Sequence, residues 1–109
     1  MRVLFDQGTP VPIRRSLDEH YVSTVYERGW STLNNGDLLE AAERVGFEVF
    51  LTTDKNLQYQ QNLRARTIAI VVLGTTSWPR VQREIPAVLR AINGAEPGSY
   101  VEVRFPTIG

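Results

Sequence analysis

The 109-residue chain has no cysteine, one histidine and one methionine, and its 12 basic and 12 acidic residues cancel to a formal net charge of zero. Each shortage excludes something. Without cysteine there are no disulfides and no thiolate metal sites, and with His20 alone the nitrogen ligands of a zinc centre are missing too. A balanced charge argues against wrapping nucleic acid by bulk electrostatics and leaves only a local basic rim. No apolar run approaches the roughly 20 residues of a membrane span, and the N-terminus opens without the charged stretch and apolar core of a leader. A cytoplasmic protein with no membrane partner is expected. No stretch is enriched in Ser, Gly or charge and none repeats, so residues 1–109 read as a single domain, with 42% apolar residues to build its core.

What is present alternates between strand and helix signals. Met1 to Phe5 is an apolar run of β-formers, closed by the polar, turn-forming Asp6-Gln7-Gly8-Thr9-Pro10. A helix is expected around Pro12 to Leu17 and a second strand around Tyr21 to Val25. Residues 36–45 follow as a helix with apolar positions 38, 41, 42 and 45, Asn35 as its cap and Gly46 as its stop. Phe47 to Thr52 is a third strand, and a short helix is expected near Leu57 to Leu63. Thr67 to Leu73 is a continuous β-branched run, as in a strand buried on both faces. A helix capped by Ser77 carries the stripe Val81, Ile85, Val88, Leu89 and Ile92, and Pro86 should kink it or end its first half. Tyr100 to Phe105 alternates like an edge strand. The pattern is that of an α/β protein, a three-layer α/β/α sandwich on a mostly parallel sheet of about five strands.

Three aspartates stand out against this frame. Asp6 lies at the end of the first strand, Asp54 just past the end of the third, and Asp37 in the first turn of the central helix. In open α/β sheets ligands bind outside the carboxyl ends of the strands, and two carboxylates on that edge repel unless a cation or a proton lies between them. Each has a structural reading as well. Asp37 suits a helix N-terminus whatever its function, and Asp6 and Asp54 suit turns.

The segments MRVLFDQGTP, STLNNGDLLEAAERVGFEVFLTTDKN and TIAIVVL together resemble the small bacterial PIN-like proteins, relatives of the PIN-domain ribonucleases, over roughly residues 1–93. The resemblance implies a Mg²⁺- or Mn²⁺-dependent endoribonuclease with acidic residues at the carboxyl edge of a parallel sheet, in many cases the toxin of a toxin–antitoxin pair. It assigns catalytic and metal-binding roles to Asp6, Asp37 and Asp54. Where these small proteins usually carry a further carboxylate, this chain has Asn56, which keeps an oxygen ligand and loses a charge. RNA is the implied substrate, an antitoxin protein or a second copy the implied partner, and the alternating last strand offers an edge for a homodimer. The alternative is a weakened PIN-like module that works by binding a protein.

An oxygen-only set suits Mg²⁺, which keeps several waters and needs few carboxylates. Such an ion lowers the pKa of a bound water and offsets charge on the scissile phosphate. Lys55 and Arg14 are candidate phosphate contacts, with Arg15, Arg64, Arg66, Arg80 and Arg83 as further members of a basic rim. Tyr26, Trp30 and Tyr59 are candidates to stack on unpaired bases, although packing is the commoner fate of such rings. His20 is expected to be structural, and no glycine pattern suggests a nucleotide-binding loop.

Overall fold

A computed structural model describes residues 1–57 and 65–106. Strands β1 (Arg2–Phe5), β2 (Tyr21–Thr24), β3 (Val49–Thr52), β4 (Ala69–Leu73) and β5 (Tyr100–Val103) form one sheet in the order β2-β1-β3-β4-β5. All four pairings are parallel, with Val3 opposite Val22 and Val49, Leu51 opposite Val71, and Leu73 opposite Val103. Every residue of β3 and β4 is buried, which explains why their sequences are continuous apolar runs rather than alternating ones.

Successive side chains of a strand point to opposite faces, and the sheet therefore feeds two cores. Val3, Phe5, Val49, Leu51, Ala69, Val71 and Leu73 face one; Leu4, Phe50, Ile70 and Val72 face the other. The second core is closed by helix α1 (Asn35–Val45), through Leu38, Leu39 and Ala42. The first is closed by a short helical turn at Val11–Ser16 and by helices α2 (Trp78–Arg83) and α3 (Ile85–Asn93), through Ile13, Val81, Val88 and Ile92. Helices thus cover both faces of the sheet.

Local chemistry sets the ends of these elements. The turn at Val11–Ser16 is a 3-10 helix rather than an α-helix, with Ile13 N–H bonded to the Pro10 carbonyl and Leu17 N–H to that of Arg14. Asn34, one position before the expected cap, accepts the Asp37 N–H at 2.8 Å, and α1 stops at Gly46 with φ +99°. The stretch after Ser77 is divided at Glu84, so that Pro86 falls in the first turn of α3, where its missing N–H costs nothing.

The connections β2 to β3 and β4 to β5 step the same way along the sheet, yet α1 covers one face and α2 and α3 the other. They therefore have opposite hands, and one departs from the right-handed rule followed by about 98% of such crossovers. Packing supplies a reason: among the described helices, only the 3-10 turn shares the first core with α2 and α3, and that turn alone is too short to cover it. Among the described residues no helix is long and apolar enough to cross a membrane.

Candidate functional site at the β1 and β3 carboxyl ends

The strand order reverses direction at β1: the chain steps from β1 to β2 on one side and then returns past β1 to β3. The 3-10 turn that follows β1 packs in the first core, whereas Leu57, after β3, packs in the second. Neighbouring strands whose continuations leave over opposite faces open a crevice between their carboxyl ends, the usual ligand position of a doubly wound sheet. Asp6 and Thr52-Thr53-Asp54 stand at that crevice.

The backbone there is pinned from several directions. The Leu51 carbonyl accepts both the Asp6 N–H, at 2.9 Å, and the buried Thr9 hydroxyl, at 3.0 Å. This draws the loop after β1 onto the end of β3. Gly8 adopts φ +86° in that loop, and a Cβ on it would stand 3.3 Å from Thr53 Oγ1. Only glycine meets both demands without strain.

Thr52 links the Asp6 carboxylate to the Asp54 backbone. Its hydroxyl donates to Asp6 Oδ2 at 2.7 Å and accepts the Asp54 N–H at 3.1 Å, and the residue is fully buried. Asp6 Oδ1 also accepts the Gln7 N–H at 2.8 Å. Burial pushes the Asp6 carboxyl above its ordinary value; the Thr52 and Gln7 hydrogen bonds oppose this, and the negative charge of Asp54 adds to the rise. Asp54 Oδ1 accepts the Asn56 N–H at 2.9 Å, an Asx turn, and its other oxygen takes no hydrogen bond from the described residues. The result is an Asp6 carboxylate and an Asp54 main chain tied to the same threonine hydroxyl.

The other expected site residues fall as follows. Asp37 is exposed in the first turn of α1, its N–H bonded to Asn34. Among the described residues no three His, Cys, Asp or Glu side chains come together as a metal-holding group. Asn56 shapes the loop through its backbone, and Lys55 is exposed in the same turn. Arg14 donates to the Val22 carbonyl at 3.1 Å and forms an ion pair with Glu27. Glu27 in turn accepts the Thr24 N–H. Arg14 thereby guards the free edge of β2. Arg66 pairs with Glu43 at 2.8 Å, and Arg80 donates to the Phe105 carbonyl. Trp30 packs edge-on against Phe47, whereas Tyr26 is 80% exposed. His20 bridges the Met1 amino group, at 3.1 Å, and Asn93, at 2.8 Å, as a structural histidine would. Arg64, Tyr59 and most of the helix expected near Leu57 to Leu63 lie outside the described residues.

Sequence reasoning passed over Thr52 and Thr9 as site residues. The available signal was a threonine closing an apolar strand, where a buried hydroxyl needs a partner.

Asp6 and Asp54 carry oxygen ligands, the type a hard cation takes, and Mg²⁺ is commonly held by one or two carboxylates with waters filling its other positions. A positive ion there would also offset the Asp54 charge that adds to the rise burial causes at Asp6. Two carboxylates are too few to hold two such ions directly. Compared with known families, curated proteins and solved structures, the chain matches none. Fold and site together define an all-parallel α/β domain with an acidic pair at its topological switch point.

Proposed function

We propose that this chain is a metal-dependent endoribonuclease of the PIN-like kind, hydrolysing RNA phosphodiesters with Mg²⁺ or Mn²⁺. The observation that carries the reading is the Asp6–Thr52–Asp54 constellation at the carboxyl ends of two adjacent parallel strands. Asp6 and Asp54 are the residues that would hold the ion. Bound there, Mg²⁺ or Mn²⁺ supplies a water of lowered pKa and a counter-charge for the phosphate. Thr52 fixes the Asp6 carboxylate by donating to Oδ2, and each carboxylate oxygen keeps a further lone pair for a ligand. Lys55, exposed in the turn beside Asp54, is within the reach of a side chain that meets an RNA phosphate. Asp37, in its exposed first-turn position, would act on substrate or solvent rather than as a direct ligand.

A second reading, a weakened PIN-like module that binds a protein, is favoured by the two-carboxylate set and by Asn56 in place of a third charge. One experiment separates them. Mn²⁺ at about 100 times its dissociation constant should stabilise the protein by roughly 2.7 kcal/mol, and Asp54→Asn should abolish that shift. Cleavage of labelled RNA that stops in EDTA then marks an enzyme; a Mn²⁺ shift without cleavage marks the weakened module. No shift and no EDTA-sensitive cleavage would end the nuclease reading.

A further inference from the structure

Beside the acidic pair, between the carboxyl ends of β1 and β2, lies a cavity of about 300 Å³ lined by Phe5, Asp6, Val11, Thr24, Val25 and Tyr26, among others. Its walls are mainly apolar, and two of them project into solvent: Tyr26 is 80% exposed and Val11 54%. Tyr26 is nonetheless firmly placed. The turn that carries it is closed by the Gly29 N–H to the Tyr26 carbonyl at 3.0 Å and by the Arg28 N–H to the Thr24 carbonyl at 3.1 Å. Within that turn Glu27 N–H bonds to Thr24 Oγ1 at 3.0 Å, while the Glu27 carboxylate accepts the Thr24 N–H and pairs with Arg14. A fixed turn that presents a bare aromatic ring over an apolar hollow pre-organises a flat contact surface rather than burying the ring.

We infer that this cavity is a nucleobase subsite, in which one unpaired base of an RNA strand stacks on Tyr26 while its sugar–phosphate reaches Asp6. The inference rests on the nuclease reading and specifies its substrate as single-stranded RNA. A base has apolar faces and a polar rim, matching a pocket with Val11 and Tyr26 as walls and with Gln7 and Thr24 also in its lining. Asp6 belongs both to the cavity and to the acidic pair, so a base seated there puts its own backbone next to the two carboxylates. A paired base cannot offer its face to Tyr26 without leaving its duplex, which excludes double-stranded substrate.

The test is fluorescence anisotropy of a short labelled single-stranded RNA on the full chain, in the cold, once with Mn²⁺ and once with EDTA. Tyr26→Ala should weaken binding roughly tenfold in both buffers, Tyr26→Phe should stay within about twofold of the parent, and duplex RNA should not compete. Equal affinity of the parent and Tyr26→Ala, or no RNA binding in either buffer, overturns the subsite. Thermal stabilisation by Mn²⁺ alone is read separately. If it is absent while Tyr26-dependent binding persists, the metal site fails and the subsite stands; if it is present without RNA binding, the reverse holds.

Discussion

Thr52→Val keeps the shape of a fully buried side chain and deletes only its hydroxyl. Two hydrogen bonds go with it, the donation to Asp6 Oδ2 at 2.7 Å and the acceptance of the Asp54 N–H at 3.1 Å. A bond to a charged group contributes about 1.5–3 kcal/mol and a neutral one about 0.5–1.5 kcal/mol, and because Asp6 is only half-buried the expected loss is about 2–3 kcal/mol. In a domain of this size each kcal/mol moves the thermal midpoint by about 4–8 °C. The loss should depend on pH with a definite sign. Thr52 lowers the Asp6 pKa against the effect of burial, so its removal lets that pKa rise further in the folded state. The penalty is complete above the folded pKa of the variant, where Asp6 is ionised, and shrinks as pH falls through it and the carboxyl takes up a proton. Urea denaturation followed by tryptophan fluorescence, at about pH 7.5 and about pH 4, reads the difference, with Thr52→Ser as the variant that retains a hydroxyl. A loss equal at both pH values, or a serine variant as weak as the valine one, would refute the bridging role.

Three further outcomes follow from the same contacts. Because burial raises the Asp6 pKa, its ionised form opposes folding; Asp6→Asn should raise the melting temperature by a few degrees near neutral pH while removing any Mn²⁺ response. The parent should close that gap as pH falls through the folded pKa of Asp6 toward 3.8, its ordinary value. Burial works against the ionised Glu43 too, but Arg66, the Thr67 N–H and hydroxyl, and the Ile68 N–H overcome it and hold its pKa below 4.5. Glu43→Gln should therefore cost about 2–3 kcal/mol above that value, with the difference from the parent fading as pH drops through the lowered folded pKa, as a series of denaturation curves would record. Gly46→Ala forces a side chain to φ +99° at the end of α1 and should cost about 1–2 kcal/mol in the same assay, with no effect on Mn²⁺ binding.

Much of the fold was legible because each signal acts over a few residues. Apolar runs closed by turn formers located all five strands, and Gly46 and Pro86 located the end of α1 and the start of α3. Where two local choices were nearly equal the sequence misled: Asn34 and Asn35 are both competent caps, and Asn34 is the one whose side chain accepts the Asp37 N–H. The 3-10 turn at Val11–Ser16 was expected only as a helix around Pro12 to Leu17, because so short a stretch is not assigned to either kind by its periodicity. Strand order and the hand of the β4 to β5 crossover were not legible, since both depend on which face lacked cover. The site divides in the same way. Asp6 and Asp54 follow from strand ends, a local property, and both residues bond to the Thr52 hydroxyl. Asp37 was joined to them by resemblance and by its place in the first turn of a helix, and it is exposed there.

The two borders of the sheet are treated differently by the chain. At β2 the outward Val22 carbonyl is taken by Arg14, the outward Thr24 N–H by Glu27 and the Thr24 carbonyl by the Arg28 N–H, so little remains for an incoming strand to grip. At β5 the Ser99 and Val103 carbonyls turn inward to Ile70 and Gly74, which leaves the peptide groups of Glu102 turned away from β4, with a Glu102–Arg104 contact at 3.6 Å as the guard there. Extension of this sheet by another polypeptide is thus biased to the side farther from the acid crevice, with β4 and β5 lying between. Any such growth would leave the reactive edge open to solvent, and its occurrence and the chemistry of the crevice can be altered independently.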